Sequence, residues 1–235
     1  GVNSVGNTTG NTILTSSGTI IGTTGVVNGN NVTLNSDQGV GTNAGSRLNT
    51  NATTLAAHSQ TAGGVFVSEA SGVTLATITG IATVVNSAVG DYDVTAAGTI
   101  LVGAGGANIT PATSNTFLAT TGATTNNISL GVNSVGNTTG NTILTSSGNI
   151  TSGAGVVNGN NVTLDSATGV GTSTAARLNT NATTLAARST STTAGVGGVF
   201  VAEADSVTLQ TITATTTVAN GTGAGSNPNY DLTAP

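Results

Sequence analysis

Residues 1–18 read GVNSVGNTTGNTILTSSG, and residues 131–148 read the same eighteen letters. A chain that spells one segment twice at an offset of 130 is built from like units in a stack or an array. The match continues at that offset: VVNGNNVTL at 26–34 returns at 156–164, and RLNTNATTLAA at 47–57 returns at 177–187. GGVFV at 63–67 returns at 197–201, which locates a four-residue insertion near 189–194. The segment YDVTA at 92–96 returns as YDLTA at 230–234. Residues 1–130 thus form a first unit and 131–235 a second, incomplete one. The chain opens without Met and stops in mid-unit, as a piece of a longer array or a processed protomer would.

A shorter period runs inside each unit. Leucines at 14, 34, 55 and 75 step by about 20 residues, each within a short apolar cluster, and secondary clusters such as Val65-Phe66-Val67 lie between them. Nearly every cluster is followed by Gly, Asn, Ser or Asp, the residues of turns. The spacing predicts an all-β chain: a right-handed parallel β-helix, or β-solenoid, with about 20–22 residues per coil and about eleven coils. Val, Ile, Leu and Ala are expected inside and Thr outside. Asn and Gly are expected at the corners, where positive φ is needed and Asn side chains can stack. Only 3 prolines occur, as suits strands paired on both edges. A sandwich or barrel would carry longer strands and more aromatics than the 2% here. Neither strict hexapeptides nor calcium-binding nonapeptides occur.

Composition removes whole classes of function. Charged residues make up 5%, yet 36% are hydrophobic, so the chain folds rather than staying disordered. Arg47, Arg177 and Arg188 are the only cations, which gives nucleic acid nothing to grip. With no cysteine and His58 as the sole histidine, no zinc, haem or thiol chemistry is expected, and no cofactor. No apolar run approaches the ~18 residues of a membrane span.

The phrases GVGTSTAARLNTNATTLAARS, GGVFVAEADSVTLQTI and YDVTAAGTILVG resemble the repeats of giant bacterial surface proteins related to filamentous haemagglutinin. The resemblance covers nearly the whole chain and implies a right-handed β-helix in a secreted, cell-surface adhesin. The amino-terminal secretion domain of that family has no counterpart here.

Candidate sites follow from comparing the two units. Asp91 and Asp93, flanking Tyr92, are a close carboxylate pair, and general acid–base catalysis needs such a pair. Their counterparts are Asn229 and Asp231, and Asp37 gives way to Ala167, so a catalytic dyad is not kept and no enzyme is expected. Arg47 and Glu69 lie one lap apart, as do Arg177 and Glu203 once the insertion is discounted; structural Arg–Glu ion pairs are expected. His58, where the second unit has Arg188, is expected to be exposed. Asn-x-Thr/Ser triplets at Asn31, Asn51, Asn161 and Asn181 are candidate glycosylation sites, with Asn7, Asn108, Asn127, Asn137, Asn149 and Asn220 as further matches. Thr77-Ile78-Thr79 and Thr211-Ile212-Thr213 would suit an ice- or crystal-binding face only if the motif recurred every lap, which it does not.

Two structural roles are expected. One is a rigid segment of an exported adhesin; the other is a protomer that polymerises head to tail through uncapped ends into an extracellular fibre or sheath. The partners would be copies of the chain or adjoining repeats, with a host or surface glycan or protein as ligand.

Overall fold

The computed structural model describes residues 3–103, 114–122, 125–193, 196–223 and 229–235. Every long strand pairs in parallel with the equivalent strand one coil later, and among the described residues there is no helix. The fold is a β-solenoid. One ladder runs its length: Ile20, Val40, Val65, Tyr92, Thr116, Thr142, Val162, Leu185 and Leu209 pair in succession. All but Leu209 are buried. The eight steps between the first and last of them cover 189 residues, so a coil averages about 24. Between Ile20 and Leu209 that is about eight turns; the coils are longer than the 20–22 residues from which eleven were expected over the whole chain, because loops and hairpins leave the wall.

Each coil lays one strand segment on each of two faces. The first face holds the ladder above. The second holds Val73, Ile100, Ile128, Ile150, Val170, Val199 and Tyr230, again paired in succession. Inward side chains of both faces meet in one core of Val, Leu, Ile and Ala. The stack crosses the unit boundary without a break, since Thr116–Thr120 pairs with Asn141–Ser146 and Ile128–Ser129 with Asn149–Thr151.

The two units do not stand in the same orientation. Val40 is on the first face, but its copy Val170 is on the second. Thr142 and Val162 are on the first face, whereas their copies Thr12 and Val32 pair through Leu55 and Leu75 into the second. From Thr12 to Thr142 the described strands change face eleven times, an odd number. The 130-residue unit is therefore five and a half coils, and each repeated side chain reappears on the other face.

Corner chemistry departs from expectation in two ways. Among the described residues only glycines take positive φ. Asn at a corner instead works through its side chain: Asn7 Oδ1 accepts from the amides of Thr9 and Gly10, and Asn137 repeats this with Thr139 and Gly140. The expected stacking is present on the strands, where Asn31 donates to Asn11 at 2.9 Å and Asn161 to Asn141 at 2.8 Å. Thr is also found inside. Thr12 and Thr142 are buried at strand ends, their hydroxyls donating to the Asn28 and Asn158 carbonyls at 2.6 Å.

Two kinds of strap leave the wall. The loop 42–47, with its copy 172–177, departs at Gly41 and Gly171, each at φ 66°. A Cβ at either would collide with the Phe66 or Phe200 carbonyl oxygen, so only glycine allows the exit. The second strap is an antiparallel hairpin, Ile78–Thr79 with Thr83–Val84, copied as Ile212–Thr213 with Thr217–Val218. Both Thr-Ile-Thr motifs lie on these hairpins rather than on a flat ladder. Each hairpin folds back over the outer surface of two preceding coils. This explains a break in alternation: in Val32-Thr33-Leu34 and Leu55-Ala56-Ala57 the outward middle residue is also buried, under the hairpin.

Candidate functional site

The loop strap carries Arg47 forward to Asp93, two coils on, with Nη2 2.6 Å from Oδ2. Arg177 reaches Asp231 in the same way and more fully: Nη2 lies 2.8 and 2.9 Å from the two carboxylate oxygens and Nε 3.2 Å from Oδ1. The guanidinium of Arg47 also donates to the Ala44 carbonyl, but its buried Nε has no partner. The expected pairs Arg47–Glu69 and Arg177–Glu203 do not form. The arginines sit on outward loops, whereas Glu69 and Glu203 point into the core and are 2% and 5% exposed.

Those glutamates are anchors for a corner. Glu69 accepts from Thr50 Oγ1 at 2.7 Å, from the Ala52 amide at 3.0 Å and from the Ser71 amide at 3.1 Å. Glu203 repeats the contacts with Thr180 Oγ1 at 2.7 Å and the Ala182 amide at 2.9 Å. Burial raises the Glu69 pKa above the ordinary value, and these donors oppose it. Sequence spacing placed Arg47 and Glu69 one lap apart correctly, but spacing carries no sign for inside or outside.

A third ion pair has no counterpart among the expected ones. Arg188 holds Asp165 on the adjacent coil, Nη2 to Oδ2 at 2.7 Å and Nε to Oδ1 at 3.0 Å. In the first unit Asn35 and His58 occupy these positions, with Nδ1 3.3 Å from Asn35 Oδ1. The signal was present: Asn35→Asp165 and His58→Arg188 change together between copies. His58 is half-buried rather than exposed, and burial lowers its pKa.

Asn86 is the other residue that sequence reasoning missed. It is fully buried where the hairpin rejoins the wall. Its Oδ1 accepts from the Ala57 amide at 3.0 Å and the Tyr92 hydroxyl at 2.6 Å; its Nδ2 donates to the Leu55 and Ala76 carbonyls. Asn220 makes the same four bonds to Ala187, Tyr230, Leu185 and Gln210. Burial pushes the Tyr230 hydroxyl up to about 12 and that of Tyr92 further. Asn220, read as a sequon, is thus a structural plug.

On the first face the two straps converge. The Arg47 loop of the first unit points toward the second, and the hairpin of the second unit points back. Between them lies a groove of about 470 Å³. Its floor is the outward ladder Phe66, Asp93, Phe117 and Ile143, which pair rung by rung. Arg47 and Ala44 close one end, and Thr215 and Thr216 at the hairpin tip the other. Both members of the carboxylate pair line it. Asp93 is held by Arg47, while burial raises its pKa and Asp91 adds to the rise. Asp91 accepts from the Asn115 amide and side chain at 3.0 and 3.2 Å. The groove is a junction feature, since neither unit alone supplies both ends.

Of the sequons, Asn31 and Asn161 sit within the sheet, bonded to Asn11 and Asn141, and Asn51 and Asn181 are half-buried on their strands. Asn108 lies outside the described residues. Among the described residues no cluster of three or more His, Asp or Glu could hold a metal, and no helix is long and apolar enough to cross a membrane. No protein-family model, curated protein or solved structure matches this chain.

Proposed function

We propose that this chain is a structural segment of an exported bacterial surface adhesin, a rigid right-handed β-solenoid stalk that holds a binding region away from the cell, and that it is not an enzyme. The observation that supports this reading most is the unbroken ladder from Ile20 to Leu209, which continues through the unit boundary. Coupling of this kind makes a rod of ~40 Å from eight coils, and further units lengthen it without a hinge. Of the sequons, Asn51 and Asn181 are the better candidates for glycan on such a surface, since Asn31 and Asn161 are bonded within the sheet.

The second reading is the self-assembling protomer of a fibre or sheath. It is favoured by the terminal strands: among the described residues Asn11–Ser16 pairs only with Asn31–Ser36, and Tyr230–Thr233 only with Val199–Glu203. Where such a strand is the last of its chain, its open edge invites another coil.

The mass of the intact parent chain from its native source tests the two. Hundreds of kilodaltons, with the epitope accessible on whole cells, supports the stalk. A mass near 22.3 kDa overturns it in favour of the protomer.

A further inference from the structure

We propose that the chain associates side by side with a second copy of itself, the Ile81 tip of one molecule's hairpin seating in the Phe66–Phe117–Ile143 groove of the next. Ile81 stands at the turn between Gly80 and Ala82 and is 92% exposed, the most exposed large apolar residue among those described. A single apolar side chain held at the end of a strapped hairpin is a preformed knob, because little ordering entropy is lost when it docks.

The groove is a matching hole. Phe66, Phe117 and Ile143 form an apolar floor, and the surface already accepts a hairpin tip within the chain, since Thr215 and Thr216 stand at one end of it. Charge does not oppose the fit. The hairpin segment 77–85 reads TITGIATVV, without a charged residue; of the groove's charges Arg47 and Asp93 neutralise each other, and Asp91 is held by the Asn115 amide and side chain.

Placement decides what such contacts build. The hairpin that carries Ile81 lies over the second face, against strands Val26–Ser36 and Leu48–Ser59, whereas the groove is on the first. Knob and hole therefore point in different directions, the contact is heterologous, and it propagates instead of closing as a dimer. The second unit has Thr215 in place of Ile81, so the knob is confined to one of the two hairpins.

Sedimentation velocity on the whole chain up to about 0.5 mM tests this. The wild type should show a mass distribution that grows with concentration past the dimer. Ile81→Thr, which installs the second unit's residue at an exposed site, should weaken association roughly tenfold. Ala44→Trp, which fills the groove from an exposed loop, should do the same. An equimolar mixture of these two variants retains one knob and one hole and should stop at a 1:1 dimer. A wild type that stays monomeric throughout, or Ile81→Thr that associates as the wild type does, overturns the proposal and leaves the groove to a different ligand.

Discussion

Glu69 shows how a single residue is placed against its chemistry. Its carboxylate replaces water with Thr50 Oγ1 and the amides of Ala52 and Ser71, at a corner where those donors would otherwise be orphaned. Its folded pKa is raised by burial, so the folded state binds the proton more tightly than the unfolded chain. Stability from this group is fully present below the unfolded value of 4.5 and declines as pH rises through the raised one. The shift of Asp93 has the same sign. Thermal melts should therefore show the midpoint climbing as pH falls from neutrality toward 4.5, and Glu69→Gln should remove part of that slope. Asn86 makes a sharper prediction. Asn86→Ala leaves the Ala57 amide, the Ala76 carbonyl and the Tyr92 hydroxyl buried without the partner Asn86 gave them, while the Leu55 carbonyl keeps the Ala76 amide, and should cost about 3 kcal/mol in chemical denaturation.

The straps set the behaviour of elements. Both are excursions from a wall that would otherwise repeat near 20 residues, and both return over the wall's outer surface, one forward and one back. The Arg47 loop is clamped by a pair whose acid is 7% exposed, while the Asp231 of the second unit is 27% exposed. Removing the cation should matter more where the carboxylate is drier. Arg47→Ala should cost about 2 kcal/mol and Arg177→Ala about 1 kcal/mol, read from urea unfolding midpoints. Equal losses would show that the clamp energy does not depend on burial. Much of this was legible beforehand: the Tyr92-Asp93 and Arg47 segments stood out as repeated. Their partnership did not, because Arg47 skips the adjacent coil and reaches over Phe66 to the second one.

For the whole molecule the half-coil in the unit is the governing fact. Equivalent loops face different sides, and a surface feature recurs on the same side only every second unit. Spin labels at Ala44 and Thr174, equivalent positions on the two loops, test this directly. Five and a half coils separate them by ~26 Å along the axis, and opposite faces should lengthen the measured distance well beyond that value. A distance near the axial rise alone would mean that the two loops share a face. The half-coil also creates the groove, by bringing the first unit's loop and the second unit's hairpin to one side.

The solenoid and its repeat boundaries were legible in the sequence, because the hydrophobic clusters and Gly/Asn turns return at intervals that only stacked coils satisfy. The identity of the core was legible for the same reason: Leu14, Leu34, Leu55 and Leu75 mark successive coils of one face, in two neighbouring ladders, since Leu14 pairs with Leu34 and Leu55 with Leu75 while Leu34 is level with Ala57. Turn count, face and partnership were not. An excursion such as 77–85 has the same β-rich composition as the wall it leaves, so spacing counts it as part of a coil. Whether a repeat closes on a whole or a half turn depends on how many segments leave the wall. Only the tertiary structure decided that Arg47 meets Asp93 instead of Glu69, since an ion pair forms where burial and side-chain direction permit, and neither is written in residue spacing.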